Sequence, residues 1–219
     1  MVHGWGGSFR RTWQEAGWDA LLEEDGRRVL GVDLLGHGDA PKPHEPAAYE
    51  DLTTRITDAI GDHAAVDAIG FSLGAITLLQ LACREPQRFR RLVLSGIGAN
   101  VFRPDGTDAI IAAVEGRGDP EDIRSQLFSQ YANQPGNDPI ALAAVLKRPR
   151  VDPITVERLA RLTFPVLVVL GDRDFAGPAD SLVAALPNAK LVTLKKCDHF
   201  ATPNDFRFID ATLAFLGAE

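Results

Sequence analysis

Cysteine is nearly missing from this chain: 219 residues hold only two, Cys83 and Cys197. Two thiols exclude a disulfide-built scaffold and any four-cysteine metal site, and their apolar neighbours predict buried thiols. Basic residues are also in deficit. Lys and Arg number 23 against 30 Asp and Glu, a formal charge of −7. That balance lacks the electrostatic footprint of a nucleic-acid binder and gives no attraction to an anionic membrane surface. Long apolar runs are absent too. Clean stretches such as Val166 to Leu170 fall far short of the ~20 residues a membrane span needs. The opening Met1 to Gly7 has neither the basic nor the apolar region of a signal peptide, so the cytoplasm is the expected compartment. There is no internal repeat and no low-complexity tract. What remains, 45% hydrophobic and 24% charged residues, is the composition of one ordinary folded domain.

Two apolar runs read as buried parallel strands, Arg91 to Ser95 and Pro165 to Leu170, each closed by a glycine (Gly96, Gly171). They are continuous rather than alternating, as in strands covered on both faces. Weaker strands are expected at Arg28 to Asp33, Val66 to Gly70 and Leu191 to Leu194. Leu73 to Arg84 is apolar nearly all round and reads as a buried helix, stopped by Pro86. Asp205 to Leu216 places Phe206, Ile209, Leu213 and Leu216 on one face of a helix that packs on a sheet. The alternation predicts an α/β fold with helices on both faces of a mostly parallel sheet of about five strands. Residues 99–163 carry no strand-like run. Helical patches at Asp108 to Glu115, Pro120 to Tyr131 and Pro139 to Lys147 predict a helical insertion over one end of the sheet, with residues 1–98 and 164–219 forming the core.

Gly70-Phe71-Ser72-Leu73-Gly74 stands between an expected strand and an expected helix. A sharp strand-to-helix turn there strains the serine and exposes its hydroxyl, while the helix start aims free N–H groups at an oxyanion. The plainer reading is a helix N-cap serine between packing glycines. A nucleophilic serine needs a base, and of five histidines only His199 follows Ser72, on the loop after the last strand. The base needs an orienting acid. Asp172 and Asp174 follow the strongest strand, and Asp174, deeper in the loop, is the better placed. Asp198 is too near His199 in sequence to orient it. Failing both, the loop after Ser95 offers Asn100 and Asp105. Gly96-Ile97-Gly98 starts like a dinucleotide fingerprint but breaks at Val101, and no histidine spacing suits a metal. Of Phe102, Phe128, Tyr131 and Phe175, a few are expected to line a pocket and the rest to be core.

Five segments in order, His3-Gly4-Trp5-Gly6-Gly7, Asp33-Leu34-Leu35-Gly36-His37-Gly38, Gly70 to Gly74, Gly171 to Asp174 and Asp198-His199-Phe200, resemble the loops of the α/β-hydrolase superfamily over nearly the whole chain. The resemblance implies a Ser72–His199–Asp174 triad, an oxyanion hole from the backbone N–H groups of Trp5 and Leu73, a small cap at 99–163 and no cofactor. It implies a serine esterase acting on a small-molecule ester with a short acyl chain. Lactonases, C–C bond hydrolases, cofactor-free perhydrolases and non-catalytic receptors share the pattern. Departures are Ala75 and Ala40, which affect packing, and Asp198 beside the histidine. In this family the His-Gly loop follows a central strand. With His3 third in the chain, the resemblance implies only a stub of that strand, between the Arg28 and Val66 strands. The expectation is a longer natural chain, or repair of the gap, for example as a homodimer.

Overall fold

The computed structural model describes residues 1–103, 107–149 and 152–218. Strands β1 (Val66–Phe71), β2 (Phe89–Ser95), β3 (Val166–Gly171) and β4 (Ala189–Leu194) form one wholly parallel sheet in the order β1-β2-β3-β4. The helices in chain order are α1 (Trp18–Glu24), α2 (Thr54–Ile60), α3 (Leu73–Arg84), α4 (Thr107–Val114), α5 (Ile123–Ala132), α6 (Pro139–Lys147), α7 (Val156–Leu159), α8 (Asp180–Ala185) and α9 (Phe206–Gly217). No helix among the described residues is long and apolar enough to cross a membrane.

Side chains on the central strands divide between two cores. Leu92, Leu94, Val166, Val168 and Leu170 face a cluster with Ile56 and Ile60 of α2, Leu78 and Leu81 of α3, and Leu182 of α8. Their neighbours Ile69, Val93, Leu167 and Val169 face Trp18 and Leu22 of α1 and Phe208, Ile209 and Leu216 of α9. The period-two pleat sends consecutive residues to opposite faces, and both faces are covered. That is why the strands read as unbroken apolar runs.

Two expectations need correction. The sheet has four strands rather than about five. The segment Arg28 to Asp33 offers a single bridge, Val2 to Val32, and Val2 also bridges Gly70. Val2 donates its N–H to Ile69 and accepts from Phe71, while Val32 donates to Met1. Among the described residues these are isolated bridges, and no ladder joins the segment to β1. Below them opens a cavity of about 520 Å³ walled by Val29, Leu30, Ile60, Val66 and Ala68. Second, α9 buries Phe208, Ile209, Thr212 and Leu216, and Phe206 is 79% exposed. Asp205 caps the helix by accepting the Arg207 N–H, which makes Phe206 its first residue and turns it outward.

Among the described residues, 99–163 contains helices α4 to α7 and no strand. Trp5 ties this region to the sheet: its indole N–H donates to the Leu142 carbonyl (3.0 Å), and its ring lies 5.5 Å from that of Phe128.

Candidate active site

Ser72 sits in the turn from β1 to α3 with φ 52° and ψ −116°. Side chains rarely adopt this conformation, and it costs of order 1–3 kcal/mol. The flanking glycines are required by close approach. A Cβ on Gly70 would lie 2.8 Å from the Ala75 backbone nitrogen, and one on Gly74 would lie 2.5 Å from the Val2 carbonyl and collide with that of His3. The turn therefore closes only with hydrogen at both positions. The Ser72 side chain makes no capping bond to α3. Its Oγ instead lies 3.0 Å from Nε2 of His199.

His199 is brought in from the loop after β4. Both carboxylate oxygens of Asp174, from the loop after β3, stand 2.9 Å from its Nδ1. Side-chain exposure is 4% for His199 and 0% for Asp174. Oδ1 of Asp174 also accepts the Ala176 N–H. The two loops are fastened together: Asp172 N–H donates to the Leu194 carbonyl and Arg173 N–H to that of Cys197. Asp172 is exposed. Asp198 is exposed as well and accepts the Ala201 N–H. Asn100 closes its own turn through the Gly98 N–H, and Asp105 lies outside the described residues. The His199 ring is walled by Phe175 (centroids 4.2 Å apart), Phe71 (4.9 Å) and Phe200 (5.6 Å).

On the opposite side lies the loop carrying Trp5. His3, fully buried, holds it in place. Nε2 of His3 accepts the Leu34 N–H (3.1 Å), so Nδ1 carries the proton and donates to the Gly4 carbonyl (2.7 Å). Burial, the leading cause, pushes His3 below its ordinary pKa and keeps it neutral, which this pattern requires. Among the described residues, the backbone N–H groups of Trp5 and Leu73 have no protein acceptor. Leu73 opens α3, where the helix dipole favours negative charge.

Between these parts is a cavity of about 200 Å³ lined by Gly4, Trp5, Arg11, Ser72, Phe128, Tyr131, His199 and Phe200. Phe128 and Tyr131 come from α5, so they line the pocket. Phe102 lies elsewhere, lining a separate cavity with Val101 and Ile154. Sequence reasoning passed over Arg11 and Thr12 altogether. No periodic pattern signals them, because a π-helical turn, Arg10–Gln14, puts them there. Among the described residues, no cluster of His, Cys, Asp or Glu is fit to hold a metal ion.

A model of the alpha/beta hydrolase family matches residues 1–211. The pimeloyl-[acyl-carrier protein] methyl ester esterase of Neisseria meningitidis serogroup B is 29% identical over 230 residues, covering 91% of this chain and 84% of that protein. The 2-hydroxymuconate semialdehyde hydrolase of Pseudomonas sp. (strain CF600) is 36% identical over 118 residues, 50% of this chain and 40% of the relative. Among solved structures, a thermophilic esterase from Thermogutta terrifontis superposes with a TM-score of 0.74 at 20% identity, over 98% of this chain and 87% of the other. The enol-lactonase from Burkholderia xenovorans LB400 gives 0.69 at 21% identity, over 99% and 90%.

Proposed function

The chain belongs to the alpha/beta hydrolase family, and on that premise we propose that it is a serine hydrolase cleaving a small carboxylic ester. The observation that carries this reading is the unbroken line from Ser72 Oγ through His199 to Asp174, 3.0 Å and 2.9 Å long at its two links.

Ser72 Oγ attacks the acyl carbon while Nε2 of His199 takes its proton. Asp174 fixes the tautomer with Nε2 free to accept, and offsets the imidazolium charge that forms. The tetrahedral oxyanion receives the Trp5 and Leu73 N–H groups, each contributing about 3 kcal/mol of transition-state stabilisation. The alcohol leaves with the proton held by His199. Water then enters and gives a proton to Nε2 and its hydroxide to the acyl carbon; the bond from that carbon to Ser72 Oγ breaks, Oγ takes the proton back from His199, and the acid is freed. No step calls for a cofactor. Residues 99–163, with helices α4 to α7, act as a small cap, and the cavity beneath them suits a short acyl chain. Esterases among the relatives and structural neighbours support ester cleavage. A C–C bond hydrolase matching half of the chain keeps carbon–carbon cleavage as the second reading.

The deciding experiment offers p-nitrophenyl acetate, butyrate, hexanoate and octanoate, together with a fluorophosphonate probe. Turnover should be fastest with the short esters, and the probe should label Ser72 alone. Labelling that persists in Ser72→Ala would refute the assignment.

A further inference from the structure

Among the described residues that line the cavity, Arg11 is the only lysine or arginine, and ester cleavage by Ser72 gives it no task. It sits on the turn Arg10–Gln14, closed by the i+5 bond from the Glu15 N–H to the Arg10 carbonyl. Single π-turns are rare and concentrate at functional sites. Ser8 Oγ secures the turn by accepting the Arg11 backbone N–H (3.1 Å). Arg11 is half-buried as a residue, and its guanidinium donates, in exposed positions, Nη1 to the Gln134 side-chain oxygen (3.4 Å) and Nη2 to the Pro135 carbonyl. Both acceptors are neutral. Among the described residues no carboxylate pairs with Arg11, and no Asp or Glu lines the cavity. Its charge is felt within the wall: burial pushes the Tyr131 phenol up, and Arg11 pulls against that shift.

Arg11 lines the same cavity of about 200 Å³ as Ser72 and His199, and a cation with spare donors there suits an anion on the same molecule. A guanidinium presents paired N–H groups that match a carboxylate. We infer that Arg11 makes this site selective for esters that carry a second, free carboxylate, the monoesters of short dicarboxylic acids. The inference rests on the serine-hydrolase reading above. The reaction balances simply. The ester C–O bond breaks, Ser72 holds the acyl group, the alcohol leaves, and one water yields the dicarboxylate and one proton.

Monomethyl and dimethyl glutarate test this, being alike in length and different in charge. Wild type should show kcat/KM for the monomethyl ester about 10–100-fold above that for the dimethyl ester, the range of a charge-assisted hydrogen bond. Arg11→Gln should bring that ratio toward unity through KM, and Arg11→Lys should restore part of it. Calorimetric binding of the two esters to Ser72→Ala should show the same preference without turnover. If wild type cleaves both esters alike, the inference is overturned and the hydrolase reading stands. If Arg11→Gln loses equally on both, Arg11 only staples the 134–136 loop and the inference is overturned. If neither ester is cleaved and no probe labels Ser72, the hydrolase reading fails. Equal binding of the two esters by Ser72→Ala would then overturn the inference as well, and a retained preference would support the carboxylate subsite.

Discussion

Asp174 presents both of its carboxylate oxygens to one nitrogen of His199, each 2.9 Å from Nδ1, in a pair almost sealed from solvent. Apart from the Ala176 N–H that Oδ1 also accepts, the imidazole is the partner this buried carboxylate serves, and on the proposed mechanism it holds that ring in one tautomer. Asp174→Asn should therefore lower kcat about 10⁴-fold, the cost of a wrong tautomer in such triads. Asp172→Asn, altering an exposed side chain, should cost little. Steady-state kinetics on a p-nitrophenyl ester decides, and equal losses would move the acid elsewhere.

The strain at Ser72 predicts a separation of activity from stability. Ser72→Ala and Ser72→Gly should both be inactive. Glycine accepts φ 52° without penalty, so the glycine variant should unfold at a higher urea concentration than the alanine variant, by about 1 kcal/mol after the extra chain entropy of glycine is subtracted. Coincident urea curves would show that the turn is relaxed.

Gly74→Ala should do damage on two counts. The added methyl meets the carbonyls of Val2 and His3, which are backbone and cannot rotate away. Overpacking of that kind costs about 1–3 kcal/mol. It also displaces the loop that carries the Trp5 N–H, so kcat should fall along with the melting temperature. Gly217→Ala, with nothing within 4 Å of the new methyl, is the matched control and should lose neither.

Acid should weaken the fold through His37. Burial above all, reinforced by neighbouring His3, pushes its imidazole down to about 3 from an ordinary 6.5. Its Nε2 is buried with no described partner, so a proton there would lack an acceptor. The native state takes up this proton later than the unfolded chain does. Its contribution is complete above about pH 6.5 and drains away as pH falls toward 3, at about 1.4 kcal/mol per pH unit. Urea titrations between pH 7 and pH 4.5 should show the decline, and His37→Gln should flatten it. A variant with the wild-type slope would refute the assignment to His37.

Much of the candidate site's geometry was legible because chemistry leaves local marks. The glycines around Ser72, the Gly-Asp after β3 and the lone downstream histidine can each be found by reading a few neighbours. The sheet was legible where strands are covered on both sides. What could not be read depends on distant partners. Arg28 to Asp33 has strand-like composition, but a strand needs a paired neighbour, and among the described residues the segment makes only the single bridge from Val32 to Val2. Phe206 fits the apolar stripe of α9, yet the cap at Asp205 decides that it faces water. Arg11 looks like any surface arginine until Gln134 and Pro135, more than 120 positions away, are folded against it.

The placement of the three loops also sets the order of events in time. Ser72 and His199 are separated by 127 positions and follow β1 and β4, strands at opposite ends of the sheet. Contacts so distant in sequence form late and slowly. No intermediate lacking β4 holds His199 against Ser72, however complete its other strands are. A refolding chain therefore brings His199 against Ser72 only when its last strand docks on β3. Probe labelling at Ser72 would mark the end of folding, where circular dichroism registers the earlier helices.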